Sequence, residues 1–383
     1  MASARGLLPP LSLKYLWVPL WLGLLAWPLM GGRDAGQLAL TLIAGGLAGR
    51  GVFRAASGDR ARSAAKVLGL FLASLNRLIK KKSVTQSLII SGGLGLFFLP
   101  LLLNNYYIDI LNLCLLYSLL AVGLNITVGY TGLLDLGYAA FYGVGAYVYA
   151  LLSTGIGLSF WLGLPVGGLV AAFFGLILGL ITLRLRGDYL AIITLGFVQI
   201  IYLVLNNWDS VTQGPNGIMQ IGRPEIAGFV IRDQLHFYYL ILSFLLIVVL
   251  AVHRLVHSQI GRAWIAIRED ELAAEAMGIN TTRMKVLAFA LGAGIAGIGG
   301  VFFAARYTFV SPESFTFLES VRILSMVVMG GMGSLPGAIL GAFLLTLLPE
   351  LLRDLANYRM LIFGAALVVM MVFRPQGIWG RRG

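Results

Sequence analysis

The sequence predicts an all-α fold, a polytopic bundle of transmembrane helices, and three observations point there. Of 383 residues, 59% are hydrophobic and 11% charged, whereas a soluble globular domain carries about 25% charged residues. Apolar runs of about 20 residues recur along nearly the whole chain, and at 1.5 Å rise per residue each can cross a hydrocarbon core of about 30 Å. The chain also holds 49 glycines, many inside those runs, where small residues let helix backbones approach closely in lipid. With the bilayer as solvent, helices are the spanning element that satisfies its own backbone at these lengths.

The apolar segments fall at 13–30, 35–53, 86–103, 108–128, 133–154, 161–183, 188–206, 236–255, 286–305, 320–333, 335–350 and 359–373. Because 133–154 and 320–350 are rich in Gly, and the second is broken by Pro336 and Pro349, the expected count is about ten to twelve. The first segment follows Arg5 and Lys14, contains Pro19, Trp21 and Trp27, and lacks a small-x-small cleavage pattern. It therefore reads as a retained helix. Residues 1–53 form an expected N-terminal helix pair. Residues 54–85, with Arg77 and Lys80 to Lys82 among alternating apolar positions, read as a basic amphipathic linker lying on the cytoplasmic leaflet in contact with lipid. A core spans 86–383.

Threading the segments with both termini in the cytoplasm puts 21 of the 28 Lys and Arg residues on that side, as positive-inside bias requires. The net charge of +12 is thus mostly topology. A nucleic-acid partner would need those charges gathered on one soluble face, which this pattern excludes.

Catalytic chemistry finds little support. No Gly-x-x-x-x-Gly-Lys-Ser/Thr occurs and none of the six lysines follows a glycine, so the chain has no P-loop for ATP. Cys114 stands alone in an apolar run, which leaves no disulfide framework and no thiolate metal site. His236, His253 and His257 flank one apolar segment without metal-ligand spacing,. Among the sixteen carboxylates, Asp109, Asp188 and Glu319 fall at expected helix ends and Asp135 near the start of an apolar stretch. That is thin provision for the titratable groups of an ion-coupled carrier.

The most informative segment is 261–285. Residues 263–277 are strong helix formers, Gly278 is placed to end the helix, and Asn280 or Thr281 to cap the next. The i, i+3, i+4 rule sets Arg268, Glu271 and Glu275 on one face, with Trp264, Leu272 and Met277 as apolar contacts. Glu269, Asp270, Glu271 and Glu275 balance Arg262, Arg268, Arg283 and Lys285, so this segment is neutral where other cytoplasmic segments are basic. A charge-balanced short helix between two spans suits docking into a groove of another protein. Two further spacings predict packing faces in lipid: Gly292, Ala296 and Gly300 on one helix, and Gly333, Gly337 and Gly341 on another.

Segment 261–285 resembles the cytoplasmic coupling loop of ABC importer permeases, an acidic, Ala-rich helix ended by Gly that docks on the ATPase. The likeness extends to Arg184-Leu-Arg-Gly-Asp-Tyr-Leu-Ala-Ile-Ile-Thr-Leu-Gly-Phe197, Gly214-Pro-Asn-Gly-Ile218, Phe309-Val-Ser-Pro-Glu-Ser-Phe-Thr-Phe317, Gly330-Gly-Met-Gly-Ser334 and Arg374-Pro-Gln-Gly377. In that order these motifs are similar to the M-type permease subunit of branched-chain amino acid importers, over nearly all of 86–383. The resemblance implies a multi-pass protein of the bacterial inner membrane that pairs with a homologous H-type permease, two ABC ATPase subunits and a periplasmic amino-acid-binding protein. It implies no cofactor in this chain, with ATP and Mg held by the ATPases. Coupling would rest on Arg262, Arg268, Glu269, Asp270, Glu271, Glu275 and Gly278. A pathway for Leu, Ile or Val would draw on polar groups among apolar ones, for which Asn125, Tyr130, Thr131, Tyr138, Thr194, Gln199 and Asn216 are the candidates. The competing readings are a permease of the same fold for another small solute such as urea, and an ion-coupled carrier or passive channel.

Overall fold

The computed structural model describes residues 99–185, 187–226, 229–351, 364 and 377–379, all within one unit, Phe97–Gly383. The N-terminal helix pair, the basic linker at 54–85, most of segment 86–103 and nearly all of 359–373 lie outside the described residues.

The described residues are helical apart from short loops and two-residue strands. Helix α1 runs over Asn105–Leu124 and continues as one π turn, Asn125–Tyr130. It is followed by α2 (Tyr138–Ile156), α3 (Phe160–Ile181), α4 (Asp188–Asn207) and α5 (Gln234–Val256). Two short helices, α6 (Gln259–Glu269) and α7 (Glu271–Ala276), make a hairpin. Then come α8 (Thr281–Tyr307), α9 (Phe317–Gly330) and α10 (Leu335–Leu351). Six of these, Asn105–Tyr130, α2, α3, α4, α5 and α8, are long and apolar enough to cross a membrane. Each overlaps a segment expected from hydropathy alone.

Helix α8 is the centre of the bundle, and its small residues explain why. A Cβ added at Gly297 would strike Gly167 and Ala171 of α3, one at Gly300 would strike the α2 backbone at Tyr142 and Ala146, and Gly145 of α2 faces Gly297 in turn. Gly292 lies against Gly123 and Thr127 of α1, and Ala296 is fully buried. Along this face of α8, backbone contact replaces side-chain packing,. On α10 the second spacing holds for Gly337 and Gly341, which meet Gly330 and Met326 of α9. Gly333 departs from it, lying in the turn between α9 and α10 with φ +80°. That left-handed conformation favours glycine, and it follows the end of α9 at Gly330 and precedes the start of α10 at Leu335.

Apolar side chains also stand on the outside. Leu169 and Phe173 of α3, Ile192 and Ile200 of α4, and Leu246, Ile247 and Leu250 of α5 are all more than half exposed. Exposed apolar stripes of this length suit a hydrocarbon surround.

Two helices stop or start inside the bundle. Residues 131–137 have no regular structure and separate the π turn of α1 from α2. Tyr117, bonded to α9 near its start, is the thirteenth of the 26 residues in the first span. So α9, 14 residues long, begins within the apolar slab and runs back toward the hairpin end. At the opposite end, β1 (Ile218–Met219) pairs antiparallel with β4 (Phe309–Val310), and β2 (Glu225–Ile226) with β3 (Phe229–Val230).

Candidate functional site

The hairpin is built by caps at every turn of the chain. Ser258 Oγ accepts from Ile260 N at 3.2 Å to start α6. Asp270 then takes an extended conformation, and its Oδ1 accepts from Leu272 N and Ala273 N at 2.9 and 3.1 Å to start α7. The single helix expected over 263–277 is thus two, because Asp270 satisfies the orphan amides of a new helix better than it continues the old one. Gly278 has φ +85°, and Ile279 N bonds back to Ala274 O at 3.1 Å, a left-handed helix end. Asn280 Oδ1, accepting from Arg283 N at 3.0 Å, caps α8.

Three side chains fasten this hairpin to the bundle. Trp264 is fully buried and donates from Nε1 to Met284 O at 2.8 Å. Arg268 Nη1 donates to Gly129 O, in the π turn of α1, at 2.5 Å. Buried Lys285 of α8 pairs with Glu271 of α7, Nζ to Oε1 2.5 Å. Glu271 therefore turns toward the bundle while Glu275 stays exposed, and Arg268 remains exposed although its Nη1 reaches Gly129 O. Arg262 bonds locally to His257 O at 3.2 Å. Exposed on the hairpin are Arg262, Arg268, Glu269, Asp270, Glu275, Leu272 (62% exposed) and Met277 (83% exposed), a surface of both charge signs with two apolar side chains beside Glu275 on α7 and at its end. Asp270 and Gly278, both exposed, shape that surface by starting and ending α7.

Of the polar residues expected along a pathway, five are buried, and four of these have hydrogen bonds within the chain. Asn125 Oδ1 accepts from Gly333 N at 2.9 Å and holds the α9–α10 turn to α1. Thr131 Oγ1 donates to Ile126 O at 2.9 Å, and Tyr138 Oη to Gly292 O at 3.1 Å. Thr194 Oγ1 accepts from Leu136 N at 3.0 Å, bracing the irregular segment 131–137. Tyr130 is buried in the same region. Asn125, Thr131 and Thr194 satisfy backbone next to helix breaks,, whereas Tyr138 ties α2 to the middle of α8. Gln199, on α4, and Asn216, in a loop at the end opposite the hairpin, are exposed.

Sequence reasoning passed over a charged group in the apolar slab. Tyr117 Oη donates to Glu319 Oε1 at 2.5 Å, and Arg322 Nη1 donates to Tyr117 Oη at 2.9 Å with its guanidinium 4.6 Å above the Tyr117 ring. Glu319 is in the first turn of α9, as expected of a helix end, but that end is inside the bundle. The signal was available: Arg322 is a lone charge within the apolar segment 320–333. A neighbouring bond, Ala139 N to Ser320 Oγ at 2.9 Å, joins the first turns of α2 and α9. Asp135 Oδ1 accepts from Gly137 N at 2.9 Å beside them. Among the described residues no three His, Cys, Asp or Glu side chains gather as a metal site.

A family profile described as branched-chain amino acid transport system / permease component matches residues 106–371. The chain is 45% identical over 302 residues to the high-affinity branched-chain amino acid transport system permease protein LivM of Salmonella typhimurium, covering 73% of this chain and 71% of that one. Identity and coverage are the same for LivM of Escherichia coli. LivH of Salmonella typhimurium, a permease protein of the same system by name, is 27% identical over 285 residues, 69% of this chain and 91% of its own. No solved structure matches.

Proposed function

The chain belongs to the branched-chain amino acid transport system permease family, and from that premise we propose that it is the membrane-spanning permease subunit of an ATP-driven importer of Leu, Ile and Val. Its described helices make it a multi-pass membrane protein, and its relatives are named as permeases. The reading adds the rest: a heterologous pore with an H-type partner, two ATPases at the hairpin end, a periplasmic binding protein at the opposite end, and both termini in the cytoplasm of an inner membrane. ATP and Mg belong to the ATPases; nothing in this chain offers a P-loop. Residues 1–53 add a helix pair and 54–85 a lipid-bound linker.

The observation that carries this reading is the hairpin. Its two helices are too short to stand alone, yet Trp264, Arg268 and Glu271 lock them to α8 and α1. A rigid mount that leaves Leu272, Glu275 and Met277 in water is what force transmission from a docked ATPase requires: motion at the surface reaches α8, the centre of the bundle, through buried links. Substrate then crosses as the helices rock between outward and inward access. The test is uptake of radiolabelled L-leucine by cells carrying the assembled system, with and without an ATPase whose P-loop lysine is replaced. Uptake that depends on this chain and on ATP hydrolysis supports the reading. Uptake that persists without hydrolysis, or that follows a proton gradient, refutes it in favour of a channel or carrier.

A further inference from the structure

Among the described residues, two Arg–carboxylate pairs differ in geometry. At the end opposite the hairpin, Arg306 of α8 meets Asp109 of α1 at 2.6 Å and the Asp109 carbonyl at 2.8 Å, with its own side chain 8% exposed. That pair makes a direct bond and joins two helices near their ends, with Asp109 46% exposed and Arg306 Nη1 buried without a hydrogen-bond partner. Glu319 and Arg322 lie one turn apart on a single helix, and their nearest approach is 3.9 Å, with side chains 18% and 34% exposed. A direct bond between them is not made; Tyr117 Oη bridges them instead. Among the described residues, Tyr117 is the bonded partner drawn for the Arg322 guanidinium, so most of its donor fork stays available.

Depth makes this expensive. Tyr117 is the thirteenth residue of a 26-residue span, roughly 18 Å along the helix from its first residue. A partly exposed arginine at that level cannot face hydrocarbon at modest cost, so its face must meet a water-filled cavity or protein. Its stripe on α9 reads Leu318, Arg322 and Ser325, spaced four and three residues apart and all exposed or partly exposed,. With Glu319 beside it, one turn before Arg322, this face combines one guanidinium, one hydroxyl and one carboxylate with an apolar flank. A lone anion or cation would be repelled by one half of this pair. A molecule carrying both charges on one carbon satisfies both halves.

We propose that Arg322 and Glu319 form a zwitterion subsite within the translocation pathway, Arg322 receiving the α-carboxylate and Glu319 the α-ammonium of an amino acid in transit. The inference rests on the reading of the chain as an amino acid permease and names where in the membrane the head group is held. Tyr117 positions both charges, since its hydroxyl holds the carboxylate of one and the guanidinium of the other. The fork of Arg322 suits a carboxylate bidentately. The aliphatic side chain of the solute then needs only an apolar wall.

The test uses the complete transporter with its partner subunits. Replacing Cys114, the single cysteine of the sequence, by Ala gives a background for Ser325→Cys, whose reaction with a charged methanethiosulfonate reagent reports water at this face. The expected result is labelling that millimolar L-leucine slows and that neither 3-methylbutylamine nor 4-methylpentanoate, each lacking one charge, slows; Arg322→Gln removes the leucine effect. Arg322→Gln and Glu319→Gln each lower leucine uptake by about tenfold or more, with the ATPase still co-purifying. Arg322→Lys, which keeps charge without the fork, falls between. An unreactive Ser325→Cys, equal protection by the analogues, or wild-type uptake by Arg322→Gln overturns the subsite while leaving amino acid import intact. Absence of leucine uptake by the unmodified transporter overturns the import reading itself, and the subsite with it.

Discussion

Lys285, near the start of the central helix, lies 2.5 Å from Glu271 on the hairpin, and the lysine side chain is 5% exposed against 20% for the glutamate. This pair decides what the acidic residues of the hairpin do. Glu271 holds the mount and Glu275 faces outward, although four residues apart in sequence they look alike.

Glu271→Gln strands a buried ammonium, and removing one partner of a buried pair costs about 3 kcal/mol. The expected result is a clear drop in thermal stability of the purified complex, while Glu275→Gln leaves it unchanged. Because an apolar replacement of a whole buried pair is often close to neutral, Glu271→Gln combined with Lys285→Met recovers much of the loss. Equal stability of both single variants contradicts the assignment.

Gly278 has open space where a Cβ would go but φ +85°, so its cost on substitution is backbone strain alone. Gly278→Val is expected to cost about 1–2 kcal/mol, and Gly278→Asn clearly less, because asparagine tolerates that region. Gly297 is the opposite case, since a side chain there runs into Gly167 and Ala171. Gly297→Leu is expected to abolish assembly of the bundle, read by size-exclusion profile in detergent, where Gly278→Val does not.

The helices were legible in the sequence wherever hydropathy alone decides them. The segments at 161–183, 188–206, 236–255 and 286–305 each lie within a few residues of an observed helix, as do the cap at Asn280 and the stop at Gly278. What escaped was set by contacts distant along the chain. Glu319 meets Tyr117 across 202 residues, and Arg268 meets Gly129 across 139, and no local periodicity encodes either. The break at Asp270 was local and still missed, because 263–277 are good helix formers and propensity outweighed a capping aspartate in the reading. Three of the polar residues chosen for a pathway, Asn125, Thr131 and Thr194, bond backbone next to the breaks in α1, α2 and α9: in lipid, repairing backbone and lining a path draw on the same side chains.

Orientation follows from positive-inside bias. Reporter fusions after Lys82, Met277 and the C-terminus are expected to report cytoplasm, and fusions near Gln213 and Ser314 the opposite side. A periplasmic signal at Met277 contradicts both the orientation and the docking role of the hairpin.

Without a P-loop, the purified chain is expected to show no ATPase activity above background, and the assembled system to hydrolyse ATP. Hydrolysis by a preparation freed of ATPase subunits, checked by mass spectrometry, contradicts the division of labour.

The central claim is that the exposed face of the hairpin receives the ATPase, and the most direct measurement is leucine uptake together with ATPase co-purification for Glu275→Lys combined with Met277→Glu. Both residues stand in water and neither anchors the hairpin, so insertion and stability should stay at the level of the unaltered protein. The account predicts loss of co-purification and of uptake together, as burying mismatched charges at an interface costs several kcal/mol. Normal uptake with the ATPase still bound would contradict it and leave α6 and α7 as a solvated connection between α5 and α8.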